Sequence, residues 1–301
     1  MGIKRRKTIV LLCCGGDLCK GVAPAPHEKL SFSTSYWDGA EGCKFYDDEI
    51  EKIRSLIGKR YTMSALKRFF VDKIEDITVL EGEEFEHAKN VLRIGAGAEI
   101  ILLDNSGKEY TAVVSQVEKK RMLLNVVREE VGEREAHVDV CLLFGYLKNA
   151  DKNEFIVQKA VELGVKKIYV FSSEFSSAYM NANKLERLNK VSKEAAKQCL
   201  RSVAPEVVYF DTLEKALSAT ESYPNKLFAC EFATESKCDV AALQGDTAIV
   251  IGSEGGFSRE EEEMAAAKGY ASVTLGKRIL RAETAAVALT SVVMFSLGEL
   301  R

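Results

Sequence analysis

Short apolar runs broken by glycine and charge set the rhythm of the chain from residue 67 onward. Glu99 to Asp104 and Tyr110 to Ser115 are strand-like and flank the turn residues Asn105, Ser106, Gly107 and Lys108, so they predict a hairpin. Met122 to Val127 predicts a further strand. Glu86 to Arg93 reads as a short helix that stops before Gly95 and Gly97. The pattern then changes. Val138 to Gly145 is a continuous apolar run, the mark of a parallel strand buried on both faces. Lys152 to Leu163 carries Phe155, Ile156, Lys159, Ala160 and Leu163 at helical spacing and stops at Gly164, the usual residue just past a helix end. Lys167 to Phe171 is the next strand, and this β-α-β order predicts a parallel α/β sheet. Farther on, a strand ends at Phe228 to Glu231, Asp239 to Leu243 is a short helix, Thr247 to Ile251 is a strand, and Thr284 to Leu297 is an apolar helix.

Residues 132 to 136 are charged and non-periodic, which makes them a linker. They divide a small β-barrel over 63–135 from an α/β domain over 136–301. Residues 1–62 fit neither. Pro24, Pro26, Gly39 and Gly42 punctuate them, and only Asp47 to Lys59 has helical periodicity. The basic Lys4 to Lys7 and the apolar Thr8 to Cys14 resemble the start of a signal peptide, but no small-residue cleavage site follows. We expect these residues to be a largely disordered extension, with Met63 as the natural start; a native N-terminal peptide mapping upstream of Met63 would contradict this.

Bulk composition changes the picture little: 47% hydrophobic and 29% charged residues are ordinary for a soluble chain. The net charge of -3 gives no global nucleic-acid footprint, so any RNA contact must come from local asymmetry. Such an asymmetry exists between Lys148 and Glu206, where Lys148, Lys152, Lys159, Lys166, Lys167, Lys184, Arg187, Lys190, Lys193, Lys197 and Arg201 stand against seven acids. The eight cysteines include no C-x-x-C pair and no metal-ligand spacing with His27, His87 or His137, so no metal is expected. Cys141, Cys199 and Cys230 sit in contexts typical of buried thiols, which points to a reducing cytoplasm. No apolar run reaches the length of a membrane span.

The chemistry concentrates near the C-terminus. Ile249-Val250-Ile251-Gly252-Ser253-Glu254-Gly255-Gly256-Phe257-Ser258 and Val273-Thr274-Leu275-Gly276-Lys277-Arg278-Ile279-Leu280-Arg281-Ala282-Glu283-Thr284-Ala285 are two strand-turn-helix units. Each places glycines and backbone N–H groups beyond a strand end, where open α/β sheets bind ligands. These two runs resemble the signature of the RsmE-like branch of the SPOUT RNA methyltransferases, I-G-P-E-G-G-F-S followed by L-G-x-R-I-L-R-x-E-T-A. The resemblance extends upstream through Lys148 and the run Gln158 to Val165, through Glu194 to Arg201 with Pro205, and through the H-x-x-x-V-L-R pattern at His87 to Arg93. It covers the chain from about Arg68 to the C-terminus. Two positions depart from the pattern: Ser253 stands where the family has proline, which removes a fixed φ from the loop, and Phe175 stands where an E-R-S run has arginine, which weakens any phosphate-binding role there.

The resemblance implies a knotted parallel-sheet SPOUT domain preceded by a PUA-like RNA-docking barrel. It also implies a homodimer packed through the Thr284 to Leu297 helix, S-adenosyl-L-methionine as cofactor, and methylation of uridine N3 in 16S rRNA of the small ribosomal subunit. Carried over residue by residue, Glu231, Ile251, Gly252, Glu254, Gly255, Gly256, Leu275, Gly276, Ile279 and Leu280 hold the cofactor, while His87, Arg93, Lys148 and Gln198 contact RNA. Methylating a uracil nitrogen requires a group that stabilises the developing anion and one that takes the imide proton. Arg281 and Arg201 suit the first task; Glu283 or Glu254 suits the second if burial raises its pKa. The other readings are a different SPOUT enzyme acting on another RNA, and a non-catalytic RNA-binding or assembly factor, for which Phe175 and Ser253 leave room.

Overall fold

The computed structural model describes residues 66–176, 178–230 and 238–300. The extension over 1–62, its helix at Asp47 to Lys59 and the cofactor candidate Glu231 lie outside them. Among the described residues no helix is long and apolar enough to cross a membrane.

Two sheets account for the strands. The first has five, β1 (Arg68–Phe70), β2 (Ile77–Glu81), β3 (Glu99–Leu103), β4 (Lys108–Val117) and β5 (Arg121–Val131), in the order β1-β3-β4-β5-β2. The expected hairpin is β3 with β4, antiparallel and registered Glu99 on Val113. β5 runs longer than its apolar pattern because β4 continues to pair with its charged end, Glu130 opposite Glu109. The edge strands β1 and β2 do not pair with each other among the described residues. The open side is covered instead by α1 (Gly82–Glu86), whose Phe85 packs with Ala88, Phe69, Leu80 and Met122 in the barrel core. The short helix expected over Glu86 to Arg93 continues from α1 as a wider π-helical turn, with Leu92 N–H bonding His87 O and Ile94 N–H bonding Ala88 O.

The second sheet is parallel, in the order β11-β9-β10-β6-β7-β8. Its strands are β6 (Val140–Gly145), β7 (Lys167–Phe171), β8 (Val207–Phe210), β9 (Asn225–Ala229), β10 (Thr247–Ile251) and β11 (Ala271–Val273). Every residue of β6 and β10 is buried, as the uninterrupted apolar runs require of central strands. Alternate side chains feed two cores. Leu142, Phe144, Ile249 and Ile251 pack with α2 (Ala150–Glu162), α3 (Ala182–Gln198) and α6 (Ala282–Ser296). Cys141, Leu143, Ala248 and Val250 pack with α4 (Leu213–Ser218) and α5 (Arg259–Ala267). Burial pushes the Cys141 thiol well above its ordinary value. Phe70, Ile101 and Leu103 of the first sheet join the α2–α3–α6 core, so the two sheets share apolar packing.

Strand order decides where a ligand can sit. From β6 the chain runs outward through β7 to β8, then crosses back to β9 on the far side of β10. The order reverses between β6 and β10, and the crevice beyond their carboxyl ends is the switch point at which open α/β sheets bind ligands. The loops that meet there are 146–149 after β6 and 252–256 after β10.

Candidate functional site

The turn after β10 is held from three sides. Gly256 N–H bonds Ser253 O at 3.1 Å and pairs the two residues across the turn, with Gly256 at φ +72°. The Glu254 carboxylate accepts from Lys148 N–H at 3.0 Å and 3.3 Å, which ties the turn to the loop after β6. That loop is itself pinned by buried Asn153, whose amide accepts from Leu147 N–H at 2.9 Å and donates to Leu147 O at 2.8 Å. On the third side lies the loop after β7. A Cβ on Gly255 would fall 2.6 Å from Phe175 Cβ, so only glycine allows this approach. Ser253, which stands where the family has proline, is buried, and its hydroxyl lies 3.3 Å from that of Ser173. The two departures from the family pattern therefore sit side by side.

The second glycine turn runs from Thr274 to α6. Gly276 has φ +99°, a left-handed conformation that side chains resist. Leu275 points into the core shared with α6, and Leu280 is partly buried. Ile279, expected to contribute to an apolar wall, is instead 88% exposed, because the turn carries it outward with Lys277 and Arg278.

Glu283, in the first turn of α6, receives Lys152 Nζ at 3.0 Å from the first turn of α2. Burial pushes its pKa up, but its own backbone N–H, Lys152 and the neighbouring Arg281 outweigh this and hold the carboxyl below its ordinary value. Desolvation therefore does not raise the Glu283 carboxyl as a proton acceptor would need; it is ion-paired with Lys152. Its Oε2 is buried without a hydrogen-bond partner, an acceptor left unsatisfied beside the start of α6. Arg281 is the N-terminal flanking residue of α6 and is exposed. Glycine-bearing backbone turns, an unsatisfied carboxylate oxygen and an exposed guanidinium fit S-adenosylmethionine, which offers hydroxyl and ammonium donors, a carboxylate and an adenine edge.

Arg201 and Gln198 lie elsewhere. α3 has 17 residues, so its ends are about 25 Å apart; it begins beyond the carboxyl end of β7, which places Gln198 and Arg201 toward the amino edge of the sheet. Arg201 is 2% exposed, donates Nε and Nη2 to Glu135 at 3.0 Å and 2.7 Å, and donates Nη1 to Val161 O and Val165 O at 3.0 Å and 2.8 Å. Its catalytic assignment is corrected on that ground: the guanidinium pins the segment read as a linker to the end of α2. Gln198 is exposed on the groove between α2 and α3.

Among the RNA candidates, Lys148 is exposed beside the crevice and makes no ion pair among the described residues. His87 packs edge-on to Phe69, with ring centroids 6.2 Å apart, and faces a cleft between α1, β2 and α3. Arg93 is exposed at φ +54°, closing the π-helical turn. The basic excess of 148–206 is mostly spent internally. Lys152, Lys159, Lys167, Arg187, Lys190, Lys197 and Arg201 pair with Glu283, Glu162, Asp139, Glu154, Glu83, Glu84 and Glu135 in turn. Exposed cations without ion pairs among the described residues cluster instead at Lys277, Arg278 and Arg281. Neither Lys277 nor Arg278 was singled out in the sequence, nor was Lys152; only the Lys-Arg step inside the glycine turn hinted at the first two.

Comparison with known proteins agrees with this geometry. Residues 80–127 match an RNA methyltransferase PUA domain family, and residues 134–294 match an RNA methyltransferase domain family. Ribosomal RNA small subunit methyltransferase E of Mesomycoplasma hyopneumoniae is 34% identical over 230 residues, covering 74% of this chain and 96% of that protein. Its Bacillus subtilis namesake is 28% identical over 254 residues, covering 78% and 99%. A Legionella pneumophila methyltransferase in complex with bound SAM has a TM-score of 0.70 at 27% identity, over 77% of this chain and 98% of that one. Ribosomal RNA small subunit methyltransferase E of Neisseria gonorrhoeae, bound to S-adenosyl methionine, has a TM-score of 0.66 at 27% identity over the same shares. With its two glycine turns, its PUA-like front domain and relatives matched along nearly their whole length, the chain belongs to the ribosomal RNA small subunit methyltransferase E family of RNA methyltransferases.

Proposed function

We propose that the protein methylates N3 of a uridine in 16S rRNA of the small ribosomal subunit, using S-adenosyl-L-methionine. The observation that carries this reading is that the loop after β6 and the start of α2 are tied both to the 252–256 turn, through Lys148 and Glu254, and to the start of α6, through Lys152 and Glu283, at the switch point of the parallel sheet. Bound there, the cofactor supplies a methyl group on a positively charged sulfur. Ile251, Gly252, Glu254, Gly255, Gly256, Leu275, Gly276 and Leu280 line its place, and Glu231 belongs to the same set by resemblance. Glu283, held ionised, orients the start of α6 and keeps Oε2 free for a donor from the ligand. Arg281 stabilises negative charge on the uracil as its imide proton passes to Glu254, the other candidate carboxylate, or to solvent, a role its exposed guanidinium can fill without breaking another contact. Lys148, Lys277 and Arg278 hold backbone phosphates near the crevice; His87, Arg93 and Gln198 extend the RNA path along the barrel and α3.

The working form we infer is a cytoplasmic homodimer built from a PUA-like domain over 63–135 and a knotted SPOUT domain over 136–301. Phe295 and Val292 on α6 and Phe155 on α2 are all more than two-fifths exposed, an apolar face suited to a second copy. The test is mass spectrometry of 16S rRNA from cells with and without the gene, followed by methyl transfer from purified protein to small subunits lacking the modification. Unchanged 3-methyluridine in the deletion strain would overturn the reading.

A further inference from the structure

We infer that Phe175 is a stacking platform for an unpaired nucleobase of the RNA at the mouth of the crevice. The inference rests on the RNA methyltransferase reading above and names a substrate contact that it lacks. Three observations support it. The first is presentation: Phe175 is 48% exposed, and the residues on both sides of it are tied by hydrogen bonds. Glu174 N–H donates to buried Glu261 Oε1 at 2.9 Å, and the other Glu261 oxygen accepts from Ser258 N–H at 3.0 Å in the capping box of α5. Ser173 N–H donates to Ser176 Oγ at 2.9 Å, while the Ser173 hydroxyl meets those of Ser176 and Ser253 at 3.0 Å and 3.3 Å. A ring set between anchored residues loses less entropy when a flat partner lies on it than one on an untied segment.

The second observation is position. Phe175 Cβ abuts Gly255, so the ring rises from the edge of the turn whose Glu254 is tied to Lys148. The third is charge. The immediate neighbours Glu174 and Glu254 are exposed acids, which repel a phosphate but leave the uncharged face of a base unopposed. Every base has a π-face, so an aromatic surface there adds affinity with little demand on sequence.

The test uses the full chain, small ribosomal subunits from a strain lacking the gene, and S-adenosylmethionine titrated separately. Phe175→Ala and Phe175→Leu are expected to raise KM for subunits on the order of tenfold, with kcat and cofactor affinity within about twofold. Phe175→Trp should restore KM to within about threefold of the unmodified chain. A Phe175→Leu enzyme with unchanged KM would overturn the proposal, since apolar packing without stacking would then suffice. Equal losses of cofactor and subunit affinity in Phe175→Ala would also overturn it, by returning the ring to the cofactor pocket. An unmodified chain that fails to methylate the subunits overturns the rRNA reading itself, and this shows before any variant is compared.

Discussion

Two arginines from neighbouring stretches of the same family pattern end at opposite edges of one sheet, and their surroundings give them opposite work. At the amino edge Arg201 is buried and gives its donors to Glu135, Val161 O and Val165 O. At the carboxyl edge Arg281 is exposed beside an ion-paired glutamate, with no side-chain cap on the helix it precedes. A guanidinium whose donors are already placed cannot turn to a developing charge without leaving buried acceptors unpaired, and that is expensive. A guanidinium in the open can. Functional arginines are therefore distinguished by what they lack in the resting protein, not by how prominent their motif is.

The largest effect should come from the buried arginine. Arg201→Leu is expected to destabilise the fold by about 3–5 kcal/mol, because Glu135 is left as an unpaired, partly buried charge. Calorimetry should show a melting temperature lower by roughly 10 °C, with methyl transfer near normal at low temperature. Loss of turnover at unchanged stability would break the comparison. Arg281→Ala should do the reverse. Its single-turnover rate is expected to fall about 10²–10³-fold, which is about 2.7–4 kcal/mol, with melting unchanged within a few degrees.

A smaller effect separates the Lys152–Glu283 pair from a general base. Because the folded carboxyl titrates below its ordinary value, the pair stabilises the fold above the unfolded-state pKa, and this contribution disappears as pH falls through the lowered folded value. Glu283→Gln should flatten the pH dependence of melting below about pH 5. If Glu283 were the proton acceptor with a raised pKa, Glu283→Gln would abolish turnover and would change that profile in the opposite sense, stabilising the fold at higher pH. Smallest of all is the salt response. Replacing Lys277 and Arg278 together with alanine should reduce the slope of log affinity against log salt for rRNA by about 1.5. Replacing Arg187 and Lys190, which are paired with Glu154 and Glu83, should leave the slope nearly unchanged.

Much of the architecture was legible from periodicity. β7 and β10 have the bounds their apolar runs indicate, and α2 ends beside Gly164 at φ +93°. Local patterns report such features because burial and backbone conformation are properties of a residue and its neighbours in the chain. The π-helical widening at His87 was not legible, since it differs from an α-helix by one residue in hydrogen-bond spacing and not in side-chain pattern. Nor was the basic stretch, whose apparent excess is neutralised in part by acids more than a hundred residues away: Lys152 meets Glu283, Lys190 meets Glu83 and Lys197 meets Glu84.

By itself the sequence determined the two glycine turns, the parallel sheet they serve and the family whose signature they carry, because close backbone approach demands particular residues at particular spacings. Only the tertiary structure decided which charged groups are free to act. Ion pairing depends on through-space partners that strand order brings together, so it placed Arg201 in a structural joint, held Glu283 ionised against Lys152, and set Phe175 beside Ser253 and Gly255 at the mouth of the crevice.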